Sequence, residues 1–304
     1  MNFIAAVVQD SPELFNLKLT LDKVEYLTNK AAKNNANLVV FPEAYISAYP
    51  KGLNFGAKIG SRTQKGREEF LQYYNSSLDF NSNEYLKLLN IAKKNKVFLV
   101  IGVIEKTPGT LYCTVLHISD KGQLLCKHRK VMPTAAERLI WGFGDGSTLK
   151  TCSTSLGVIG SVICWENYMP MMRMAMYNQG IQLYCAPTAD DRDTWISTMT
   201  HVALEGRCFV FSACQYLTVK DYPKNFEIGK KYNNGAIMKG GSCIVSPLGK
   251  ILAKAGYNKK TIIYSEINLD EIIKGKYDFD VVGHYSRPDI FKLSINNKSA
   301  KPVI

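Results

Sequence analysis

Apolar residues follow two rhythms along this chain. Short continuous apolar runs of strand length alternate with segments in which apolar residues recur every three or four positions. FIAAVV at 3–8 reads as a buried strand, and Leu17, Leu21, Val24, Leu27 and Ala31 mark one face of a following helix. Asn35–Asn37 ends that helix, and LVVF at 38–41 is a second buried strand. Tyr85, Leu88, Leu89 and Ala92 predict a helix over 84–95, with a third strand at 97–104. The runs at 112–118 and 123–128 flank Ser119-Asp-Lys-Gly122 and predict a hairpin. Further strands are expected at 157–163, 181–186 and 208–214, with a Met-rich helix and a helix over 195–207 between them. Short strands at 242–245, 251–255 and 261–267 complete the set.

Helices and strands interleave early, and antiparallel pairs appear in the middle and at the end. That order predicts mixed sheets covered by helices in an α+β chain. Residues 51–83 lack a clear period and contain Gly52, Gly56, Gly60 and Gly66, so an irregular, functional segment is expected there. No Pro/Ser-rich linker and no long repeat divides the sequence. The expectation is one domain over 1–293 and a polar tail over 294–304.

With 304 residues, 46% of them hydrophobic and 21% charged, the chain can bury a large core without staples. Its longest apolar runs, such as VFLVIGVI at 97–104, fall far short of the roughly 20 residues of a membrane span. The N-terminus lacks a basic segment ahead of its apolar run, which argues against a signal peptide and for a cytoplasmic protein. Lys+Arg 38 against Asp+Glu 26 gives a net charge of +12. The basic residues are dispersed and no nucleic-acid-binding motif accompanies them, so a solvated basic surface is expected. The eight cysteines form no CxxC pair, and most sit in apolar runs. They read as free thiols in a reducing compartment.

Three places join an ionisable group to a strand end. Pro42 stops the LVVF strand and leaves Glu43 at its C-terminal mouth, where open α/β sheets collect ligands. Taken alone it reads more readily as a surface-loop glutamate. Lys127-His-Arg-Lys130 closes the hairpin and could be merely solvated. Cys164 ends an apolar strand just before a helix, a junction that can lower a thiol pKa, or it could simply fill the core. A papain-like pair, a zinc site, a G-x-S-x-G elbow and a phosphate loop all lack their spacing here.

Taken together and in order, the fragments resemble the nitrilase branch of the carbon–nitrogen hydrolase superfamily. The resemblance rests on FPEAYISAYPKG (41–52), HRKVMPTAAERLIWGFGDGS (128–147) and CWENYMPMMR (164–173). THVALEGRCFVFSACQ (200–215), GGSCIVSPLGK (240–250) and DFDVVGHYSRPDIF (278–291) extend it. It implies a four-layer αββα sandwich, a catalytic trio of Glu43, Lys130 and Cys164, and Glu137 as a supporting glutamate. It implies hydrolysis of a small-molecule nitrile by water through a Cys thioimidate, with no cofactor and no metal. The Trp165-Glu166-Asn167 run after the cysteine is similar to nitrilases; an amidase, carbamoylase or cyanide-hydrolysing member is the alternative.

Tyr49, Trp141, Trp165, Glu166 and Trp195, with Tyr168, are candidate pocket walls, and the aromatic ones would suit aryl or arylaliphatic groups; Trp141 and Trp165 could instead be packing aromatics and Glu166 a structural hydrogen-bond partner. The apolar face of Met172 and Met176 belongs either in the core or against another chain. With the resemblance, it predicts a homodimer or a higher homo-oligomer.

Overall fold

The computed structural model describes residues 2–226, 228, 232 and 235–300. Strands β1 (Asn2–Gln9) and β2 (Ala36–Val40) run parallel, connected by helix α1 (Leu17–Lys33). Asn16 starts α1 by accepting the Leu19 N–H, which satisfies one of the helix's free donors. Helices α2 (Gln64–Asn75) and α3 (Asn83–Asn95) lead to β3 (Phe98–Lys106), again parallel to β2. β4 (Leu111–Ile118) and β5 (Leu124–Arg129) then fold back as antiparallel neighbours.

The second sheet repeats this plan. β6 (Cys152–Thr154) pairs antiparallel with β7 (Gly157–Ser161). Helix α4 (Pro170–Tyr177) leads to β8 (Leu183–Cys185), and α5 (Thr194–Gly206) leads to β9 (Phe209–Ser212); β7, β8 and β9 are parallel. β10 (Tyr216–Thr218) and β11 (Ala236–Lys239) form a separate ribbon. β12 (Cys243–Val245) and β13 (Ile251–Lys254) extend the second sheet, and β14 (Thr261–Asn268) returns to pair with β1. Helix α6 (Asp270–Lys276) follows. The sheet orders are β14-β1-β2-β3-β4-β5 and β13-β12-β9-β8-β7-β6.

Alternation along each strand decides which face meets which layer. Ala5, Val7, Leu38 and Val40 face inward and pack with Ile159, Leu183, Phe209 and Phe211 of the other sheet. Ala6, Val8 and Val39 point outward beneath Leu21, Val24 and Leu27 of α1 and Leu88 and Ile91 of α3. Val162, Tyr184, Val210 and Val245 are covered in the same way by α4 and α5. The result is the expected αββα sandwich.

Three sequence expectations change. The 51–83 segment is not wholly irregular, because α2 lies within it, with Tyr73 buried and Gly66 pressed against Phe55. Met172 and Met176 are core residues, packed with Trp195 and Met199, so the face they share is not an exposed docking face. Met171 is the exposed methionine of α4, at 66%. Finally, the cysteines are not all free, since Cys126 and Cys152 form a disulfide. Their strands are the edges of different sheets, stacked so that the two Cα atoms stand 6.4 Å apart, within bridging range. No local motif announces a pairing that depends on sheet stacking. The other six cysteines are unpaired and buried. Among the described residues, no helix is long and apolar enough to cross a membrane.

Candidate active site

Glu43, Lys130 and Cys164 come from three strand ends. Glu43 follows β2, Lys130 follows β5 and Cys164 lies just beyond β7. The loop carrying Glu43 passes directly over β3 at Gly102. A Cβ there would lie 2.4 Å from the Pro42 carbonyl oxygen and 2.7 Å from the Glu43 Cα, so glycine alone admits this path. Gln215 fixes the loop from the second sheet by donating to the Glu43 carbonyl at 2.8 Å.

The three side chains meet in a buried cluster. Lys130 Nζ donates to Glu43 Oε1 at 2.6 Å and to Glu137 Oε2 at 2.7 Å. Glu137 also accepts the Thr134 N–H and the Tyr49 hydroxyl, each at 2.6 Å. Lys130 lies over the Trp141 ring, 5.6 Å from its centre. Cys164 opens a 3-10 turn with φ of 49°, a left-handed conformation uncommon for a non-glycine residue. Its N–H donates to the Pro187 carbonyl, and its sulfur accepts the Thr188 hydroxyl at 3.1 Å and the Ala189 N–H. Glu43 Oε2 is buried without a hydrogen-bond partner. The Glu43 carboxyl nonetheless interacts with the Cys164 thiol.

Electrostatics assigns resting protonation states. Burial pushes the Glu43 carboxyl up to about 7, and the Lys130 charge only partly offsets that. Burial alone would discharge Lys130, but Glu43, Cys164 and Glu137 surround it and hold its pKa well above the usual lysine value. Burial, then the neighbouring Glu43, push the Cys164 thiol up, against Lys130 and the Thr188 hydroxyl. The expected low-pKa thiolate at a helix start is therefore not what rests here. Helix α4 begins only at Pro170, beyond the 3-10 turn, so its N-terminus does not reach the sulfur. The site holds a thiol beside a base of near-neutral pKa and a fixed cation. Such a trio can add sulfur to an electrophilic carbon, move the thiol proton and stabilise the charge that develops.

A cavity of about 210 Å³ opens onto Cys164 and Glu137. Tyr49, Trp165 and Asp190 help to line it, and the Lys51–Asp191 and Arg192–Asp190 ion pairs stand at its wall. Trp165 donates its indole N–H to Asp190 at 2.8 Å, with the Arg192 guanidinium over its ring. Trp141 lies on an adjoining hollow of about 260 Å³, which shares Tyr49 and Glu137 with the first. Two proposed wall residues lie elsewhere. Glu166 is buried behind the elbow, and Trp195 is packed in the α5 layer with its N–H on Ser212. Tyr168 stacks edge-on between Trp165 and Trp195.

Sequence reasoning did not single out Thr188. Ala186-Pro187-Thr188 ends β8 much as Phe41-Pro42-Glu43 ends β2, and that repeated strand-to-proline step was the available signal. Among the described residues, one group could hold a metal: His117, Cys126 and Cys152, with ligand atoms within 4.8 Å of one another. Its two sulfurs are bonded to each other, and it lies outside the cavity.

Comparison with known proteins places the chain in a family. Residues 4–277 match the carbon–nitrogen hydrolase family. The chain belongs to that family. An aliphatic nitrilase of Sinorhizobium fredii is 51% identical over 305 residues, covering 99% of this chain and 98% of the relative. A bifunctional nitrilase/nitrile hydratase of Nicotiana tabacum is 50% identical, covering 98% of this chain and 87% of the relative. Among solved structures, a carbon–nitrogen hydrolase of Helicobacter pylori superposes with a TM-score of 0.75 at 20% identity, over 95% of this chain and 97% of that one. That likeness extends to the fold.

Proposed function

We propose that this carbon–nitrogen hydrolase is a nitrilase. It converts a small aliphatic nitrile to the carboxylic acid and ammonia through a covalent bond to Cys164. The convergence of the Cys164 thiol, the Glu43 carboxyl and the Lys130 ammonium behind a 210 Å³ cavity carries the reading. The aliphatic nitrilase at 51% identity favours an aliphatic substrate over the aryl groups that the aromatic residues suggested.

The residue roles follow from the geometry. Glu43 takes the thiol proton as Sγ bonds to the nitrile carbon. The displaced π electrons and that proton go to nitrogen, giving a thioimidate, while Lys130 stabilises the developing negative charge. Glu137 and Tyr49 hold the Lys130 ammonium in place. Water then adds to the carbon with Glu43 as base. Breaking the C–N bond releases ammonia and leaves a thioester, which a second water hydrolyses to the acid. Breaking the C–S bond earlier would release the amide instead. The bifunctional tobacco relative makes that branch worth measuring.

We further infer a homodimer in a reducing, cytoplasmic setting. Exposed Met171 on α4 supports the dimer, which sedimentation of the active protein tests; the six buried free cysteines favour the reducing setting, and the Cys126–Cys152 bridge stands against it. For the reaction, the purified protein is given aliphatic, aromatic and arylaceto nitriles and the matching amides, with acid, amide and ammonia measured. The aliphatic nitriles should turn over, and C164A should lose all activity while staying folded. Amides hydrolysed in preference to every nitrile would make this an amidase.

A further inference from the structure

Lys130 and Cys164 must face one another, yet no backbone ladder connects them. Lys130 ends β5 at the edge of the first sheet, and Cys164 follows β7 in the second. Their relative position therefore depends on side chains that cross between the sheets.

One side chain does this beside both residues. Glu166 is 1% exposed and lies in the 3-10 turn that Cys164 opens. Its Oε1 accepts the N–H of Val131, the residue after Lys130, at 2.6 Å. Its Oε2 accepts the N–H of Ile163, the residue before Cys164, at 2.9 Å. The same oxygen is 3.0 Å from His128 Nε2, two residues before Lys130 on β5. His128 Nδ1 is buried without a hydrogen-bond partner. Glu166 is thus surrounded by donors and does not line the cavity at Cys164.

We propose that Glu166 is a positioning residue for the reaction. Its carboxylate locks the end of the Lys130 strand to the Cys164 elbow and so sets the ammonium against the sulfur. The assignment rests on the reading of Glu43, Lys130 and Cys164 as the working trio.

Chemistry at the site supports a carboxylate. Burial opposes ionisation of Glu166, but His128 and the two backbone N–H groups outweigh it and hold the carboxyl below its ordinary range. A glutamine cannot replace it. With its oxygen on Ile163 and His128, its amide nitrogen would meet the Val131 N–H donor to donor. Turned over, it would leave the Ile163 N–H buried and unpaired. An aspartate keeps the charge but is one methylene too short to reach both backbones.

The test compares wild type with E166Q and E166D, reading turnover and, separately, alkylation of Cys164 by iodoacetamide across pH. Alkylation needs no nitrile, so it judges the clamp even if the nitrile reading fails. A misplacement near 1 Å costs roughly a hundredfold in rate. Folded E166Q should therefore lose about a hundredfold in kcat with KM nearly unchanged, and its Cys164 alkylation profile should move relative to wild type. If E166Q does not fold, E166D should show the same split. A folded variant with wild-type kcat and an unmoved alkylation profile would overturn the clamp. So would a loss confined to KM, which would make Glu166 a substrate contact.

Discussion

At the scale of single residues, environment decides chemistry. In the proposed mechanism Glu43 can serve as the base because burial lifts its carboxyl to about 7, where it is partly ionised at neutral pH. Its carboxylate is the active form, so kcat/KM should fall as pH drops through about 7, the sign expected of a raised base. A profile flat down to pH 5 would remove Glu43 from that role. Replacing it with glutamine should lower turnover by roughly 10²–10⁴. Thr188 acts on the sulfur itself, donating its hydroxyl to Cys164 at 3.1 Å. A hydrogen bond to a charged partner contributes about 1.5–3 kcal/mol, so T188V should slow formation of the covalent intermediate by roughly 10- to 100-fold. Rapid-quench kinetics would measure that step, and an unchanged rate would show that the hydroxyl serves only the loop.

At the scale of elements, the site depends on where strands stop. β2, β5 and β7 each end just before a candidate reactive side chain, and the loop after β2 crosses the neighbouring β3 closely. Gly102 on β3 lies under the Glu43 loop, with the Pro42 carbonyl, Glu43 Cα and Ala44 N all within 2.7 Å of a Cβ placed there. Backbone cannot swing aside as a side chain can. G102A should therefore cost about 1–3 kcal/mol of stability and displace Glu43 as well. Thermal melting and turnover should drop together; a variant with wild-type values of both would mean that the loop relaxes freely. Periodicity found β1, α1, α3 and the β4–β5 hairpin because each shows one apolar face or a short apolar run. It passed over α2, whose buried residues are only Gly66 and Tyr73. It passed over β6 because that strand is short and only partly buried.

At the scale of the whole molecule, two sheets must keep their register for the trio to form. Besides Glu166, His117 Nε2 bonds Ser161 Oγ at 2.8 Å from one sheet to the other, and Cys126–Cys152 joins their edges. The bridge spans 26 residues of sequence and should contribute about 2–4 kcal/mol when oxidised. Peptide mapping of protein prepared without reductant should find it, and C152S or added reductant should lower the melting temperature. Equal melting temperatures would show that apolar packing alone holds that edge.

Periodicity in the sequence laid out the layer chemistry, and the resemblance of its motifs to nitrilases pointed to Glu43, Lys130 and Cys164 as the candidate reactive groups. Local periodicity dictates which faces are apolar, and FPE, HRK and CWE each place one reactive residue at a strand end. Tertiary structure alone decided how those groups behave. The near-neutral carboxyl of Glu43 and the high pKa of the Cys164 thiol arise from burial and from neighbours far away in sequence. Trp195, Met172 and Met176 look from sequence like wall or interface residues, but the second sheet claims them for its core. From sequence Glu166 could be either a pocket wall or a structural hydrogen-bond partner, and the structure favours the second. Glu166 faces the other sheet, because the 3-10 turn aims its carboxylate at the backbone of Val131. Sequence proximity fixes which residues share an element; which face of that element meets water, substrate or another strand is settled only when the layers pack.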